Sequence, residues 1–271
     1  MRYALRVQYI GKNYAGSQLQ LCNGKPIEGR PTIQGELEKA LCTLIKNNNR
    51  NSCEEPCGTS QEGTVGYKRP IKAIFSGRTD RGVNSKGQII HFDTDERIVA
   101  SKFLYQMNEI LPDDISVDSL RGVDEKFHAQ KSAKSRHYVF EFIHRRCKEA
   151  FDGDLMRIKY PIDIDRMQKS LDYLIGEHDF SSFKSSGTLN PSKVCTITTA
   201  TCRKVGDRVF IDIEGNRFLY NMVRTIVGTL LEIEGHNLPA EHMKEVLEAR
   251  DRTKAGQTVS PYGLTLLEVT Y

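Results

Sequence analysis

The chain has 271 residues, of which 38% are hydrophobic and 27% are charged, and its formal net charge is +4. These values are typical of a globular protein with a hydrophobic core, built as one large domain or two of ordinary size. No hydrophobic run approaches the roughly 18 residues of a membrane-spanning helix, and the first residues lack the hydrophobic segment of a signal peptide. We therefore expect a cytoplasmic protein with no membrane partner. The mild positive charge is compatible with a nucleic-acid partner but does not by itself indicate one.

The first half of the sequence predicts the order strand, helix, strand, strand, helix, strand. Residues 3–9 alternate between hydrophobic and polar side chains, as a half-buried strand does. A helical pattern of hydrophobic residues begins after Thr32. Two short hydrophobic runs, residues 73–75 and 89–92, predict strands joined by a loop. A second helical pattern and a strand at residues 115–120 complete this half.

Residues 46–70, between the first helix and these two strands, are polar and contain several asparagines, glycines and prolines. We interpret them as a surface insertion outside the core. Two of the chain's seven cysteines, Cys53 and Cys57, lie close together there, but no second pair and no nearby histidine completes a zinc site. We therefore expect reduced thiols and no bound metal.

The second half of the sequence repeats the same order. Residues 136–143 show the side-chain alternation of a strand, with aromatic residues at every second position. The helical pattern that follows ends at Gly176. Residues 194–203 and 208–214 predict a hairpin. A long helix then carries hydrophobic residues from Phe218 onward, a shorter helix follows, and the chain closes with a strand.

This order of elements, found twice, is that of the ferredoxin-like fold. The sequence thus predicts an α+β protein with two ferredoxin-like subdomains, residues 1–125 and residues 126–271. Each has an antiparallel sheet behind two helices, and the two sheets either pair by their edges or face each other across a central cleft. A cleft of this kind is a common place for a functional site.

The loop between the two strands of the first half contains one central carboxylate, Asp80. Three glycines surround it, and Arg78 and Arg81 flank it, so we expect nearby positive charge to keep Asp80 ionised at neutral pH. A carboxylate held on a loop between strands can act as a nucleophile, a base or a metal ligand. It can equally serve only to cap a turn.

Three polar residues of the predicted long helix, Arg217, Asn221 and Arg224, are spaced to share one helical face. Arg224 lies among hydrophobic neighbours, which favours a buried partner for its charge, and Asp80 is a candidate. Tyr138 begins a strand with an aromatic face, which indicates either core packing or stacking on a base. No phosphate-binding glycine loop, Ser-His-Asp order or metal-binding motif is present, so we expect no cofactor.

Several segments resemble the motifs of one family, the bacterial tRNA pseudouridine synthase A (TruA) family. They are spread over nearly the whole chain and occur in the family's order. The matching segments are residues 77–83 with 87–92, residues 127–129 with 132–133 and 136–138, residues 176–180 with 182–183, residues 215–219 with 222–224 and 227–230, and residues 251–252, 255–256, 258 and 263–266.

The resemblance implies conversion of uridine to pseudouridine in the anticodon stem-loop of tRNA, at nucleotide positions 38, 39 and 40. It further implies two related subdomains joined in one sheet-lined cleft. The enzyme would be a homodimer in which tRNA contacts both subunits, and it would use no cofactor and no metal.

The same resemblance implies roles for individual residues. Asp80 corresponds to the catalytic nucleophile, Tyr138 packs against the target base, and Arg224 pairs with Asp80. Arg78 helps the target base to leave the helical stack. The remaining residues assigned to substrate binding are Thr79, Arg81, Arg217 and Asn221.

Two other functions are compatible with the pattern. A non-catalytic RNA-binding protein could use its two sheets as stacking platforms, and such a protein would not need the carboxylate in the loop. An aspartate-dependent glycosidase or nucleotide hydrolase would usually need a second catalytic carboxylate near Asp80. Asp93 and Asp179 are candidates for it, but the sequence places neither there.

Overall fold

The computed structural model describes residues 1–19, 21–22, 25–26, 29–46, 71–185 and 192–271. Apart from Lys46, the predicted insertion lies outside the described residues, and so do Cys53 and Cys57. Among the helices of the described residues, none is both long enough and hydrophobic enough to span a membrane.

The first half contains the predicted strands and helices, together with a small separate hairpin formed by the second and third strands. In chain order the elements are β1 (Arg2–Tyr9), β2 (Leu21–Cys22), β3 (Lys25–Pro26), α1 (Ile33–Lys46), β4 (Ile74–Phe75), β5 (Asn84–Asp93), α2 (Ala100–Ile110) and β6 (Ile115–Val123). Strands β6, β1, β5 and β4 are neighbours in that order and are antiparallel. Alternate residues of β1, such as Leu5 and Val7, are fully buried, and so are Leu37 and Leu41 of α1 and Met107 of α2. These side chains belong to one hydrophobic cluster, which explains the periodic pattern of the sequence.

The second half contains a longer set of elements around its own hydrophobic cluster. They are β7 (Ser135–His144), β8 (Arg157–Ile158), α3 (Ile164–Asp172), β9 (Gly176–Asp179), β10 (Val194–Val205), β11 (Arg208–Gly215), α4 (Met222–Gly235), α5 (His242–Ala249) and β12 (Leu264–Thr270). Strands β12, β7, β11, β10 and β9 are neighbours in that order. The short β8 pairs with β7 in parallel.

The strand order is the same in both halves when the additional short strands are set aside. In each half the fourth strand lies beside the first, the first beside the third and the third beside the second. This is the order of the ferredoxin-like fold. The predicted α+β class is therefore confirmed, and the division of the chain after residue 125 stays a prediction.

The two sheets pair by their edges and form one continuous ten-stranded sheet. Strand β5 of the first half pairs with β12 of the second half, with Asn84 opposite Thr265 and Ser85 opposite Leu266. This pairing between the two halves is parallel, a direction about which the sequence makes no prediction. The hydroxyl of Ser85 also donates to the carbonyl of Leu266 over 3.3 Å. We call this contact between β5 and β12 the seam.

The seam brings the backbones of the two halves into close contact at Gly87. A Cβ atom added there would lie 2.2 Å from the carbonyl oxygen of Leu267, which is far inside van der Waals contact. Arg136 of β7 adds a second link, because its Nη2 donates to the carbonyl of Ser76 over 3.0 Å while its Nη1 donates to that of Asn216 over 2.7 Å.

We expect Gly87→Ala to destabilise the protein, because the new methyl group must push β12 away from β5. The expected loss is about 1–3 kcal/mol of the free energy of unfolding, measured by denaturant titration. Gly122→Ala is the matched control, since a Cβ at that strand position meets its nearest neighbour only at 4.0 Å. The control is expected to change stability by about 0.5 kcal/mol or less. Equal effects of the two substitutions would contradict the close packing at the seam.

Candidate active site

The loop that connects β4 to β5 carries Asp80 beside the seam and opposite the start of α4. Asp80 Oδ2 lies 3.5 Å from Nη1 of Arg224, and the two side chains are 29% and 16% exposed. The carboxylate comes from the first half of the chain and the guanidinium from the second. The structure thus brings together the two residues that the sequence suggested as partners.

Arg224 is held in place by its own neighbours. Its Nε donates to the carbonyl of Val259 over 2.8 Å, and its Nη1 donates to Oδ1 of Asn221 over 2.8 Å. A guanidinium with several fixed acceptors has little freedom to swing away from its carboxylate. The orientation of Arg224 is therefore determined before any substrate binds.

The predicted helical face of Arg217, Asn221 and Arg224 is wrong. Helix α4 begins only at Met222, and Asn221 precedes it in the left-handed conformation with φ 61°. Such a residue interrupts a helix, so the four-residue spacing before it no longer places side chains on one face. Asn221 still reaches Arg224 through its side chain, whereas Nη2 of Arg217 donates to the carbonyl of Ser192 over 3.0 Å.

Burial raises the pKa of Asp80, and the positive charge of Arg224 opposes that increase. The prediction that Arg78 and Arg81 keep the carboxylate ionised is wrong about the cause. Both arginines are exposed, and the cation that pairs with Asp80 among the described residues is Arg224. Adjacent positions in a loop direct their side chains to different surroundings, which the sequence order does not reveal.

Tyr138 lies in β7 with only 9% of its surface exposed and belongs to the hydrophobic cluster of the second half. Its ring meets that of Phe218 edge to face, with 5.1 Å between the centroids. Burial raises the pKa of Tyr138, and the nearby charge of Asp80 acts in the same direction. Tyr138 is thus a core residue that also lies close to the carboxylate.

The loop residue before Asp80 is fixed by a buried polar network that the sequence reasoning did not identify. The amide of Thr79 donates to Oγ of Ser17 over 2.8 Å, and the hydroxyl of Thr79 is bonded to that of Tyr9 over 2.8 Å. Nε2 of Gln88 donates to the carbonyl of Gly77 over 3.0 Å. Gln88 is fully buried although it lies in the polar first half of β5, so the hydrophobic pattern of the sequence provided no signal for it.

Thr79, assigned to substrate binding by the resemblance, is 6% exposed, and its hydroxyl points to Tyr9. Arg78 and Arg81 are exposed at the same loop, and neither forms an ion pair with a described residue. The loop thus presents two cationic side chains to solvent and keeps Thr79 inside. The binding roles of all these residues stay predictions.

The segment before β12 packs directly against both the loop and α4. A Cβ at Gly228 of α4 would lie 1.8 Å from the carbonyl oxygen of Gln257, so this contact requires glycine. Gly82, with φ +81°, faces the ring of Tyr262, which a Cβ would approach to 2.9 Å. These close contacts position the carbonyl of Val259, which accepts from Arg224.

The other candidate carboxylates are not brought to Asp80. Asp93 lies at the other end of β5 and pairs with Arg2, with 2.7 Å between Oδ2 and Nη2. Asp179 lies in β9, where its Oδ1 accepts from the amide of Ser181 over 2.9 Å. The two-carboxylate arrangement of a glycosidase is therefore not formed by these residues. Within the described ranges, no group of three or more His, Cys, Asp or Glu side chains could hold a metal ion.

Comparison with known proteins places the chain in a family. A family model described as tRNA pseudouridine synthase matches residues 171–271. The tRNA pseudouridine synthase A of Brevibacillus brevis is 38% identical over 97% of this chain and 96% of that protein. The proteins of the same name from a Thermoanaerobacter species and from Bacillus subtilis are 37% and 35% identical, over 98% and 100% of this chain and 97% and 99% of theirs. The chain belongs to the tRNA pseudouridine synthase A family.

The resemblance found in the sequence motifs is thereby confirmed along almost the full length of the chain. One chain of a solved structure of a Cbf5-Nop10-Gar1 complex aligns with 97% of this chain. The alignment covers 57% of the chain in that complex, with 11% sequence identity and a TM-score of 0.35. A TM-score of this size is too low to support an inference about this family member.

We expect the stability of Asp80→Asn relative to the unsubstituted protein to increase as the pH rises from about 3 to about 7. The folded-state pKa of Asp80 is raised above its ordinary value by burial. The folded unsubstituted protein therefore holds the proton on Asp80 more tightly than the unfolded chain does. It loses stability as the pH rises through the pKa of Asp80 in the unfolded state and then in the folded state. The variant lacks this loss. The measurement is the free energy of unfolding at several pH values.

Asp95→Asn, at an exposed carboxylate outside the loop, controls for the removal of a surface charge. A stability difference for Asp80→Asn that stays constant or decreases with rising pH would show that burial does not raise the pKa of Asp80.

Proposed function

We propose that this chain converts uridine to pseudouridine in the anticodon stem-loop of tRNA, at nucleotide positions 38, 39 and 40, with Asp80 as the nucleophile. As a member of the tRNA pseudouridine synthase A family, the chain is an isomerase that makes pseudouridine in tRNA. The observation that carries the assignment of Asp80 is its contact with Arg224 beside Tyr138. We further propose that it works in the cytoplasm as a homodimer whose two subunits both contact the tRNA.

The reaction explains why the carboxylate must be both ionised and sheltered. Pseudouridine formation breaks the N-glycosidic bond and then joins the same sugar to a carbon of the base. Asp80 could attack the sugar, attack the base or remove a proton from the sugar, and each route starts from the carboxylate. Arg224 stabilises that ionised form, while partial burial keeps water away from an intermediate that water would hydrolyse.

The target base must leave the helical stack before Asp80 can reach it, which costs a few kcal/mol. Tyr138 lies close to the carboxylate, and we propose that the base packs against the small part of its ring that is exposed. Arg78 is exposed on the same loop and can fill the space that the base vacates. Arg81, also exposed there, can contact phosphate, because a guanidinium recognises phosphate oxygens well.

Asn221 and Arg217 contribute to this function differently from each other. Asn221 accepts from Arg224 and also donates from Nδ2 to Oγ of Ser185 over 3.0 Å. It therefore supports the guanidinium. Arg217 is bound to the carbonyl of Ser192, and we propose that it contacts RNA farther from the reacting base.

A non-catalytic RNA-binding protein remains the alternative in a different class. Such a protein would have no reason to bury a carboxylate against an arginine at the meeting point of its two halves. Family membership and the Asp80–Arg224 contact both support the enzyme. Chemical mapping of new pseudouridine in tRNA incubated with the purified protein separates the two functions.

Asp80→Asn and Asp80→Ala are expected to reduce pseudouridine formation by on the order of 10⁴-fold or more, because the nucleophile is removed. Binding of tRNA should change by about threefold or less, since the exposed cations remain. The measurement is chemical mapping of pseudouridine in tRNA from a strain that lacks the gene, after incubation with purified protein. Asp95→Asn, at an exposed carboxylate, is the matched control and is expected to be fully active.

Substantial turnover by either Asp80 variant would refute the assignment of the nucleophile. Absence of new pseudouridine with the unsubstituted protein would favour the RNA-binding alternative. Pseudouridine found only at nucleotides other than 38, 39 and 40 would support the reaction but refute the proposed location.

Arg78→Ala is expected to slow the reaction more on a stem-paired uridine than on an unpaired one, because Arg78 compensates for unstacking. We expect about 10- to 100-fold lower kcat on a tRNA stem and less than about threefold on an unpaired oligonucleotide. Arg97→Ala removes a similarly exposed charge away from the loop and serves as the control. The same loss on both substrates would contradict a role in base extrusion.

A further inference from the structure

The hydroxyl of Tyr9 lies in the interior of the protein, directly behind the loop that carries Asp80. Tyr9 is the last residue of β1 and is 4% exposed. Its Oη is 2.8 Å from Oγ1 of Thr79, the residue that immediately precedes Asp80. Tyr9 lies outside the sequence motifs that resemble the family, and the roles proposed for Asp80, Tyr138 and Arg224 do not involve it.

Tyr9 also connects the loop to the strand that follows it. Nε2 of Gln88 in β5 lies 3.4 Å from Oη of Tyr9 and donates to it, and the same nitrogen donates to the carbonyl of Gly77 over 3.0 Å. Oε1 of Gln88 accepts from the hydroxyl of Ser76 over 2.5 Å. One hydrogen-bonded network therefore holds three of the residues that precede Asp80.

The network is buried and fully connected, which makes it rigid. Ser76, Thr79 and Gln88 are 1%, 6% and 0% exposed. Burial raises the pKa of Tyr9 to about 12, so its hydroxyl keeps its proton and can donate to Thr79 while it accepts from Gln88. Removing one member would leave buried polar groups without a partner, and the loop would gain freedom to move.

We propose that Tyr9 is a positioning residue for the reaction: its hydroxyl, through Thr79, holds the Asp80 carboxylate in the position that the reaction requires. The proposal rests on the assignment of Asp80 under the proposed function. Tyr9 itself touches neither the substrate nor the reacting atoms. It acts because a carboxylate that is displaced by about 1 Å loses on the order of 10²-fold in rate.

The test is Tyr9→Phe, which removes only the hydroxyl. We expect kcat for pseudouridine formation to fall about 10- to 100-fold and KM for tRNA to stay within about twofold. A merely structural role would lower the thermal stability without this split between kcat and KM.

Tyr3→Phe is the matched control, because Tyr3 lies in the same strand, is 7% exposed and also uses its hydroxyl in a partly buried hydrogen bond. Its Oη accepts from the amide of Ile98 over 2.9 Å. We expect Tyr3→Phe to lower the Tm by a similar amount to Tyr9→Phe and to leave kcat unchanged. An equal kcat for the two variants would overturn the proposal.

The double variant Tyr9→Phe with Thr79→Val tests the route through Thr79. If the hydroxyl of Tyr9 acts through Thr79, the double variant is no slower than the slower of the two single variants, since both remove the same contact. Rate losses that multiply would overturn that route.

Asp80→Asn, measured in the same assay, separates this proposal from the proposed function. If Asp80→Asn is inactive while Tyr9→Phe behaves like Tyr3→Phe, only the positioning role fails. If Asp80→Asn retains turnover, the assignment of Asp80 fails and the positioning role fails with it.

Discussion

The contact between Asp80 and Arg224 is the interaction on which the rest of the structure depends. A carboxylate on a loop of the first half meets a guanidinium at the start of a helix in the second half, and both are largely buried. Either charge alone would be costly to bury, so each requires the other and requires the two halves to be in register. The parallel pairing of β5 with β12 provides that register, because it fixes the loop before β5 relative to the elements packed around β12.

The surroundings of this contact hold both partners still. Arg224 is fixed by the carbonyl of Val259. Two residues earlier in the same segment, the carbonyl of Gln257 can approach α4 only because Gly228 has no side chain. On the other side, Thr79 is bonded through its amide to Ser17 and through its hydroxyl to Tyr9. Much of the preorganisation that the chemistry needs therefore lies in residues that do not touch the substrate.

Elements with a local pattern were predicted well, and features that depend on distant contacts were not. Strand β1 and helix α1 follow from hydrophobic periodicity, because each buries one face against the same cluster. The predicted start of α4 is wrong. Phe218 and Leu219 continue the hydrophobic pattern of the helix, but Asn221 has a left-handed backbone conformation, which prevents the helix from including them. The pKa of Asp80 is governed by burial, which its neighbours in the sequence do not reveal.

The sequence by itself determined the order of strands and helices, the repeat of that order, the family and the loop that carries Asp80. These depend on side-chain periodicity and turn residues, which act over a few positions. Only the tertiary structure decided that the sheets join edge to edge, that the carbonyl of Val259 fixes Arg224 and that Tyr9 holds Thr79. Those contacts join residues far apart in the chain, so they depend on strand register and core packing, which no local pattern encodes.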